Sequence, residues 1–344
     1  MMKKFISFPK IGDLKSAIRE LTHQARFVGL DENGQPIYSH DPLPTLTFKG
    51  TVKLHGTNAS VCYNAESGFW VQSRNNIITV NSDNAGFAFF AETHKDAYMA
   101  IINRIAEDNK IDLNEFTIAL FGEWAGKGIQ SRVAVSELDK AFYIFGVKIA
   151  KPQDPEFTSY WVDSTPYSDV DNSLFNVDMF KTYTIDIDLN TPKLAVNQMI
   201  DLVLELENEC PISKERGVSG VGEGIVWRAT FKGAVYRFKT KGEKHSVTKV
   251  KKLVQVDSEK IQSVADFVSY AVTQNRVDQG IKEICGDSGP DRAKTGPFLS
   301  WIVKDILDEE MTTLVDNGLE PKDVTKALST TARNMFFKAC DENV

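Results

Sequence analysis

The sequence predicts an α+β fold, in which antiparallel sheets with flanking helices are followed by a small all-helical C-terminal domain. Short runs rich in Val, Thr and aromatic residues recur between residues 46 and 238, separated by glycine or turn residues, as in antiparallel strands. Beyond residue 258, apolar residues recur at helical intervals and strand alternation disappears. A length of 344 residues fits two domains, and we expect them at 1–252 and 253–344.

The predicted elements follow in chain order. A helix from Leu14 to Phe27 precedes a turn-rich loop. The predicted strands of the first domain are residues 46–52, 59–63, 69–73, 116–121, 141–149, 225–229 and 234–238. Helical periodicity predicts helices at 84–105 and 194–206, and again throughout the tail.

The composition is that of a globular protein. Hydrophobic residues make up 42% and charged residues 25% of the chain, and no apolar run is long enough to span a bilayer, so disordered and membrane-spanning classes are excluded. Pro9, Lys10 and Gly12 interrupt the start of the sequence, so we expect no signal peptide. The expected location is the cytoplasm, or the host cytoplasm if the protein is phage-encoded, with no membrane partner.

Cysteine and histidine spacing gives no support for zinc or hydrolase chemistry. The five histidines form no HExxH pattern, and no GxSxG elbow is present. The four cysteines lie far apart without a CxxC pair, which favours reduced thiols over a disulfide or zinc site; they are Cys62, Cys210, Cys285 and Cys340.

Charge is distributed unevenly along the chain. The net charge is −7, yet residues 228–252 hold nine Lys or Arg against Glu243 alone. This basic segment is either a solvated face or a site for an anionic ligand. Strand alternation places Arg237, Lys239 and Lys241 on one face, an arrangement that suits a polyphosphate. The other basic residues are Arg228, Lys232, Lys244, Lys249, Lys251 and Lys252.

Lys53 is the candidate nucleophile. It lies where a predicted strand meets Gly56, and a strand end holds a side chain rigidly. A lysine amine attacks only when neutral, so its reference pKa of about 10.4 must be lowered by burial or by neighbouring cations. Lys239 and Lys241 are candidates for those cations. Taken alone, the Lys-x-His-Gly sequence is also compatible with an exposed strand lysine.

Several motifs occur in a fixed order and together resemble a known family. The chain is similar to the bacteriophage-type RNA ligase 2 family of the covalent nucleotidyltransferase superfamily, and the resemblance covers nearly the whole sequence. Histidine here stands where many members of the superfamily have the aspartate of Lys-x-Asp-Gly. The motifs are Lys-Leu-His-Gly-Thr-Asn at 53–58, the block 121–130, the strand 142–145, Glu223-Gly224, Lys239-Thr240-Lys241 and Gln-Asn-Arg-Val at 274–277.

The resemblance implies that residues 1–252 form an adenylyltransferase domain of an ATP- and Mg²⁺-dependent RNA ligase. Such an enzyme joins 3′-hydroxyl and 5′-phosphate ends through a lysyl-AMP intermediate and an adenylylated RNA 5′ end. We expect it to act at nicks in duplex RNA, in RNA repair, and as a monomer.

The resemblance also implies a role for individual residues. Lys53 would carry AMP, His55 would serve the transfer to RNA, and the backbone at Val52 and Leu54 would read the adenine edge. The remaining implied contacts are Asn58 and Arg74 to nucleotide and RNA phosphates, Glu123 to the ribose, Phe145 stacked on adenine, Glu223 on magnesium, and Lys239 and Lys241 on the α-phosphate. Relatives commonly have acidic residues at the positions of Val52 and Gly146.

Two other functions are compatible with parts of the sequence. A DNA ligase or a capping guanylyltransferase shares the lysine chemistry, but these enzymes usually append an OB-fold, whereas the tail here is predicted to be helical. A non-catalytic RNA-end-binding protein would keep the basic segment without turnover. Covalent attachment of AMP would exclude the non-catalytic protein, and a preference for DNA or for GTP would favour the other two enzymes.

Overall fold

The computed structural model describes residues 3–39, 43–190, 192–242 and 264–342. The chain divides into two compact units, Met1–Thr240 and Lys241–Val344. The predicted boundary between residues 252 and 253 lies outside the described residues. So do four lysines of the basic segment, namely Lys244, Lys249, Lys251 and Lys252.

The first unit combines thirteen described strands with five α-helices. The strands are β1 (Phe27–Leu30), β2 (Pro36–Tyr38), β3 (Thr45–Lys53), β4 (Thr57–Asn64), β5 (Gly68–Ser73), β6 (Ile77–Ile78), β7 (Thr117–Ala125), β8 (Ala141–Ala150), β9 (Tyr160–Val162), β10 (Leu174–Asn176), β11 (Tyr183–Asp188), β12 (Gly224–Phe231) and β13 (Ala234–Lys241). The helices are α1 (Leu14–Arg26), α2 (Phe87–Thr93), α3 (Lys95–Asn109), α4 (Ala195–Asn208) and α5 (Pro211–Glu215).

A seven-stranded sheet forms one layer of this unit. Its strand order is β10-β8-β7-β4-β5-β6, with β9 paired to β8. All pairings in it are antiparallel except that of β8 with β10, which is parallel. One face of the sheet packs on α2 and α3, where apolar side chains at helical spacing, among them Phe87, Tyr98 and Ile102, are buried.

A four-stranded sheet forms a second layer, with strand order β11-β3-β12-β13. Its core contains Phe48 of β3, Trp227 of β12 and Phe238 of β13, all fully buried. The turn between β12 and β13 consists of Lys232 and Gly233, both with positive φ, as a two-residue hairpin requires. Helix α1 begins at an Asp13 side chain that accepts a hydrogen bond from the Ser16 backbone.

The segment before α1 lies against both sheets. The Gln72 side chain of β5 accepts a hydrogen bond from the Ile6 backbone N–H and donates one to the Ile6 carbonyl, each at 2.9 Å. Further along, Gly12 forms an isolated bridge with Phe238 of the four-stranded sheet. The Ile6 and Phe8 side chains are buried with Trp70 and Phe121 in a small separate core.

The described part of the second unit is helical. It comprises α6 (Val264–Ala271), α7 (Gln274–Cys285), α8 (Thr295–Asp316) and α9 (Pro321–Glu342), packed around Phe267, Phe298 and Phe336. Arg276 is fully buried and lies within 3.5 Å of Asp305, Glu309 and Glu310. Within the described residues of both units, no helix has the length and apolar character needed to cross a membrane.

The α+β fold class predicted from the sequence is confirmed, and the one or two helices expected at 84–105 are two helices that meet at His94. Other details differ: the predicted loop after α1 contains the β1–β2 hairpin, and the short helix α5 lies in the predicted loop at 210–222. The strands β9, β10 and β11 lie in a stretch for which no element was predicted. All four cysteines are buried and unpaired.

Candidate active site

The candidate nucleophile lies where the chain passes from one sheet to the other. Lys53 ends β3 of the four-stranded sheet, and Thr57 begins β4 of the seven-stranded sheet, so residues 54–56 connect the two layers. Leu54 and Val52 bury their side chains in the core between the layers. Because both neighbours of Lys53 are anchored in this way, the position of the lysine backbone is fixed by packing.

Lys53 forms an ion pair with Glu223. Its Nζ lies 2.7 Å from Glu223 Oε2, and the carboxylate is almost completely buried. The strand register explains the contact, since Lys53 is opposite Gly224 and Glu223 immediately precedes that residue. His55 Nδ1 lies 3.4 Å from the same oxygen, Glu223 Oε2. Lys53 and His55, two residues apart, therefore both meet the carboxylate of Glu223, which is 170 residues from Lys53 in the sequence.

Glu123 lies across the connection from this cluster. It is directly opposite Asn58 in the β4–β7 pairing, which brings the two side chains to the same face of the sheet. Glu123 Oε1 accepts a hydrogen bond of 3.0 Å from the Gly56 backbone N–H, and the Gln130 side chain donates one of 3.2 Å to the Gly56 carbonyl. The block at 121–130 thus holds the connection that carries His55.

The Gly56 position has no room for a side chain. A Cβ there would lie 2.3 Å from the Trp124 carbonyl oxygen and 2.8 Å from the Ala125 Cβ. Close approach of the connection to β7 therefore requires glycine. This contact also brings the Glu123 carboxylate within reach of the Gly56 N–H.

The electrostatics of Glu123 couple the two sheets. Desolvation raises the pKa of Glu123 to about 7, opposed chiefly by the positive charge of Lys53 and reinforced by the negative charge of Glu223. Arg74, which follows β5, also favours the charged carboxylate. Burial lowers the pKa of Arg74, and Glu123 counteracts that effect. These four charges therefore interact within one site.

Phe8 connects Arg74 to Phe145. Arg74 Nη1 donates a hydrogen bond of 3.0 Å to the Phe8 carbonyl, and the Phe8 ring meets the Phe145 ring edge-on with 5.0 Å between centroids. Phe145 is the extra residue of a β-bulge, because Phe121 pairs with Gly146 and Gly122 pairs with Ile144. A bulge redirects a side chain out of the regular alternation, which explains the partial exposure of this ring.

The two motif lysines of β13 lie on the four-stranded sheet. Lys239 donates its backbone N–H to the Gly12 carbonyl, and Lys241 is the last residue of the strand. Tyr236 and Phe238, which alternate with Arg237 and Lys239, are buried in the core. The predicted alternation along β13 is thus present.

The carboxylates fit a magnesium ion that is held largely by substrate. Mg²⁺ binds through one or two carboxylates and completes its shell with phosphate oxygens and water. Glu223 and Glu123 supply such oxygens beside Lys53. The pKa of Glu123 is raised chiefly by desolvation, with a further contribution from the negative charge of Glu223, so a cation bound there would favour its ionised form. Within the described residues, no group of three or more His, Cys, Asp or Glu residues could hold a metal ion by itself.

Sequence reasoning did not find three residues of this site. Gln72 and Phe8 fix the segment before α1, and Gln130 holds Gly56. Gln72 and Phe8 sit in ordinary strand-like or irregular sequence and give no local signal. Gln130 lies inside the block at 121–130, so its presence in the resemblance was the available indication.

Known structures share only general similarity with the chain. It aligns with the Naegleria gruberi RNA ligase with PPi at 17% identity and a TM-score of 0.42, covering 71% of this chain and 58% of that one. A mutant of that ligase with ATP and Mn aligns at 18% identity and a TM-score of 0.43, with the same coverage of 71% and 58%. The chain thus spans less than two thirds of the length of these ligases. None of the curated proteins matches it.

A family model gives the assignment. The model described as RNA ligase matches residues 47–251, which is more than half of the chain. The matched range begins within β3, before Lys53, and includes Glu123, Glu223 and β13. The chain therefore belongs to the RNA ligase family.

Proposed function

We propose that the protein is an ATP-dependent RNA ligase that seals 3′-hydroxyl and 5′-phosphate RNA ends through AMP carried on Lys53. The observation that supports this most strongly is the placement of Lys53 Nζ 2.7 Å from the buried Glu223 carboxylate, inside the segment that the RNA ligase model matches.

In the first step, Lys53 forms a bond to the α-phosphorus of ATP and pyrophosphate leaves. The amine loses its proton to solvent before it attacks, since only the neutral form is nucleophilic. Lys239, Lys241 and Arg74 are the proposed cations for the phosphate oxygens, where they would stabilise charge that develops in the transition state. Val52 and Leu54 would present only backbone atoms to adenine, consistent with their buried side chains.

The nucleoside is proposed to bind between the sheets. Phe145 would stack on adenine, because its ring leaves the regular strand alternation at the bulge. Glu123 would accept hydrogen bonds from the ribose hydroxyls, and Asn58, opposite it, would contact a phosphate.

The later steps transfer AMP and close the RNA. The RNA 5′-phosphate attacks the phosphorus on Lys53, the P–N bond breaks, and an RNA-adenylate forms. The 3′-hydroxyl then attacks the 5′-phosphorus, forms the phosphodiester and releases AMP. His55, 3.4 Å from Glu223, is the proposed residue for the transfer to RNA. A bound Mg²⁺ held by Glu223 would supply charge stabilisation at the phosphate oxygens.

The helical second unit distinguishes between the alternatives. A DNA ligase or a guanylyltransferase of the same superfamily usually carries a β-barrel after the lysine domain, whereas residues 264–342 are described as helices. We therefore propose RNA as the partner, at nicks in duplex RNA and in a repair role. A cytoplasmic monomer is the proposed state of the protein.

Incubation with α-labelled ATP and magnesium, followed by a denaturing gel, tests the proposal. Wild-type protein should carry label, whereas Lys53→Ala and Lys53→Arg should not. The arginine variant keeps a positive charge beside Glu223 and so separates loss of the nucleophile from loss of the ion pair. Lys214→Ala, on an exposed lysine of the same unit, is the control and should be labelled.

The interpretation depends on removing AMP that co-purifies on the lysine, which pyrophosphate treatment achieves. Absence of label on wild type after that treatment would favour a non-catalytic RNA-end-binding protein. Matched nicked RNA and nicked DNA, each offered with ATP and with GTP, then identify the polynucleotide. Preference for DNA or for GTP would contradict the proposed function.

A further inference from the structure

A second group of basic and aromatic residues lies beyond the Phe145 ring. The Arg237 guanidinium of β13 stacks over Trp161 of β9 at 4.3 Å from the ring centroid, and it lies 5.5 Å from the Phe8 ring. Lys148 of β8 approaches the same Trp161 ring at 5.7 Å. Two cations from two different sheets therefore share one indole.

Neither cation has a carboxylate partner among the residues that the structure describes. Lys148 Nζ donates to the Ser7 carbonyl at 3.3 Å, and Arg237 contacts only the rings. By contrast, Arg228 pairs with Asp178, Arg276 with Asp305, and Arg292 with Asp341.

Arg237 lies in a desolvated position near another cation. Desolvation, with a smaller contribution from the positive charge of Arg228, lowers the pKa of Arg237 to about 10. Burial and the charge of Arg237 likewise lower the pKa of Lys148. Taking a cation out of water without an anion is unfavourable, so this arrangement gains free energy when an anion binds.

The stacking of Arg237 on the Trp161 ring leaves the guanidinium N–H groups available to bind a phosphate. An arginine that stacks by its face keeps its N–H groups available at the edge, and two of them can bind one phosphate. Trp161 lies flat here because Gly146 has no side chain: a Cβ at that position would be 3.1 Å from the indole. Relatives commonly have an acidic residue at the position of Gly146. The absence of a side chain here leaves room for the Trp161 ring on which Arg237 stacks.

A surface groove continues from Lys148. It has a volume of about 260 Å³ and is lined by Lys148, Lys151 and Phe5, together with the chain around Pro152. Lys4 Nζ donates to the Pro152 carbonyl, which adds a further cation at this edge. The groove also contains Asp154, and Lys151 is 3.9 Å from Glu115, so the uncompensated positive charge is concentrated at Lys148 and Arg237.

We infer that Arg237 and Lys148, supported by Trp161, form a phosphate-binding site for the backbone of an RNA strand that runs along this groove. Basic grooves that contain aromatic side chains are typical of surfaces that bind nucleic-acid strands. The inference rests on the proposed function, because it assigns part of the RNA surface of the same enzyme. The two sites differ in their proposed ligand, the nucleotide at Lys53 and the RNA backbone here.

Binding of a nicked RNA duplex with a 5′-phosphate at the nick, measured without ATP over a series of KCl concentrations, tests the inference. Arg237→Gln and Lys148→Gln should each weaken binding about tenfold at low salt. Each should also reduce the slope of log affinity against log salt by about 0.7 to 0.9 for the lost contact. Arg104→Gln is the matched control, because Arg104 also lies over an aromatic ring, Tyr167, but is paired with Asp108.

Three outcomes are informative. Slopes and affinities equal to those of Arg104→Gln would overturn the site. If the two glutamine variants raise the KM for ATP in the labelling of Lys53 and leave the salt slope unchanged, the phosphate bound by Arg237 and Lys148 belongs to the nucleotide. That result would also overturn the RNA-backbone site. Arg237→Lys, which keeps the charge and loses the planar fork, should retain the slope and bind more weakly, and it remains informative if Arg237→Gln melts at a lower temperature.

Failure of the inference differs from failure of the proposed function. If Lys53 takes label from ATP while both glutamine variants bind RNA normally, only the RNA-backbone site is wrong. If Lys53 takes no label while the two variants change the salt slope, the phosphate site stands and the ligase proposal fails.

Discussion

Lys53 and Glu223 are joined by an ion pair of 2.7 Å across neighbouring strands of the four-stranded sheet. The carboxylate is buried, while the lysine side chain is partly exposed at 22%. A substrate can therefore reach the amine from one side while the acid remains behind it. Glu223 also contacts His55, so one carboxylate positions both residues of the Lys-x-His-Gly motif.

Replacing Glu223 tests this relationship. Glu223→Gln should lower the single-turnover rate of Lys53 adenylylation about 100-fold, since it removes the charge that positions Lys53 and that would hold the metal. The measurement is the rate of label incorporation at saturating ATP and magnesium. Glu215→Gln, the same change at an exposed position, is the control, and equal rates for both variants would contradict a role for Glu223.

The pH dependence of stability should reveal Glu123. Its pKa is raised to about 7, so between pH 4.5 and 7 the folded protein holds a proton that the unfolded chain has lost. That contribution is fully present below pH 4.5 and is lost as the pH rises through 7, and the shift corresponds to about 3 kcal/mol. Urea unfolding of Glu123→Gln and wild type at pH 5 and pH 8 measures it.

The sign of the difference decides the outcome. Stability of wild type relative to Glu123→Gln should fall as the pH is raised, because the glutamine cannot ionise. If the stability of wild type relative to Glu123→Gln stays constant or rises with pH, Glu123 is ionised in the folded protein at neutral pH.

Gly56→Ala should disturb the connection between the sheets. The new Cβ would clash with the Trp124 carbonyl, and moving the connection would weaken the Gly56–Glu123 hydrogen bond. We expect a loss of about 1–3 kcal/mol in the free energy of unfolding and a slower adenylylation of Lys53. Gly29→Ala is the matched control, since a Cβ at Gly29 meets nothing within 4 Å. A Gly56→Ala protein as stable and active as Gly29→Ala would refute the steric argument.

Arg276→Met should destabilise the helical unit. It leaves Asp305, Glu309 and Glu310 together without their shared cation, at a cost of about 3–5 kcal/mol. Hydrogen exchange of α7 and α8 should show the loss directly. Arg292→Met, at an exposed arginine paired with Asp341, should leave exchange unchanged, and similar exchange in both variants would indicate that the buried network contributes little.

Much of the fold follows from local sequence. The strands around Lys53, the β12–β13 hairpin and the tail helices were found because alternation and helical spacing are strong there. The strand β11 was missed although residues 183–188 alternate buried and exposed side chains, because Asp186 and Asp188 are of a type depleted in strands and a long irregular stretch precedes it. The β1–β2 hairpin was missed because its residues are mostly exposed and no apolar pattern distinguishes it from a loop.

Only part of the candidate active site can be predicted from residues that are neighbours in the sequence. The sequence places His55 next to Lys53, but the meeting of Lys53 with Glu223 depends on the pairing of β3 with β12, which joins positions 170 residues apart. The resemblance to the RNA ligase family predicted that Lys53 and Glu223 belong to one site, whereas the spacing of the residues in the sequence would not have predicted it. The cation pair of Arg237 and Lys148 was also beyond sequence reasoning, because β13 and β8 belong to different sheets and the two cations come together at the Trp161 ring.

The two hydrogen bonds between the Gln72 side chain and the Ile6 backbone have a practical consequence for anyone who prepares the protein. Residues 5–12 are held by main-chain hydrogen bonds, and Phe8 touches both Arg74 and Phe145. An affinity tag fused close to this segment, or a protease that trims it, would disturb the candidate active site. Purification handles and fluorescent labels therefore belong at the other end of the chain.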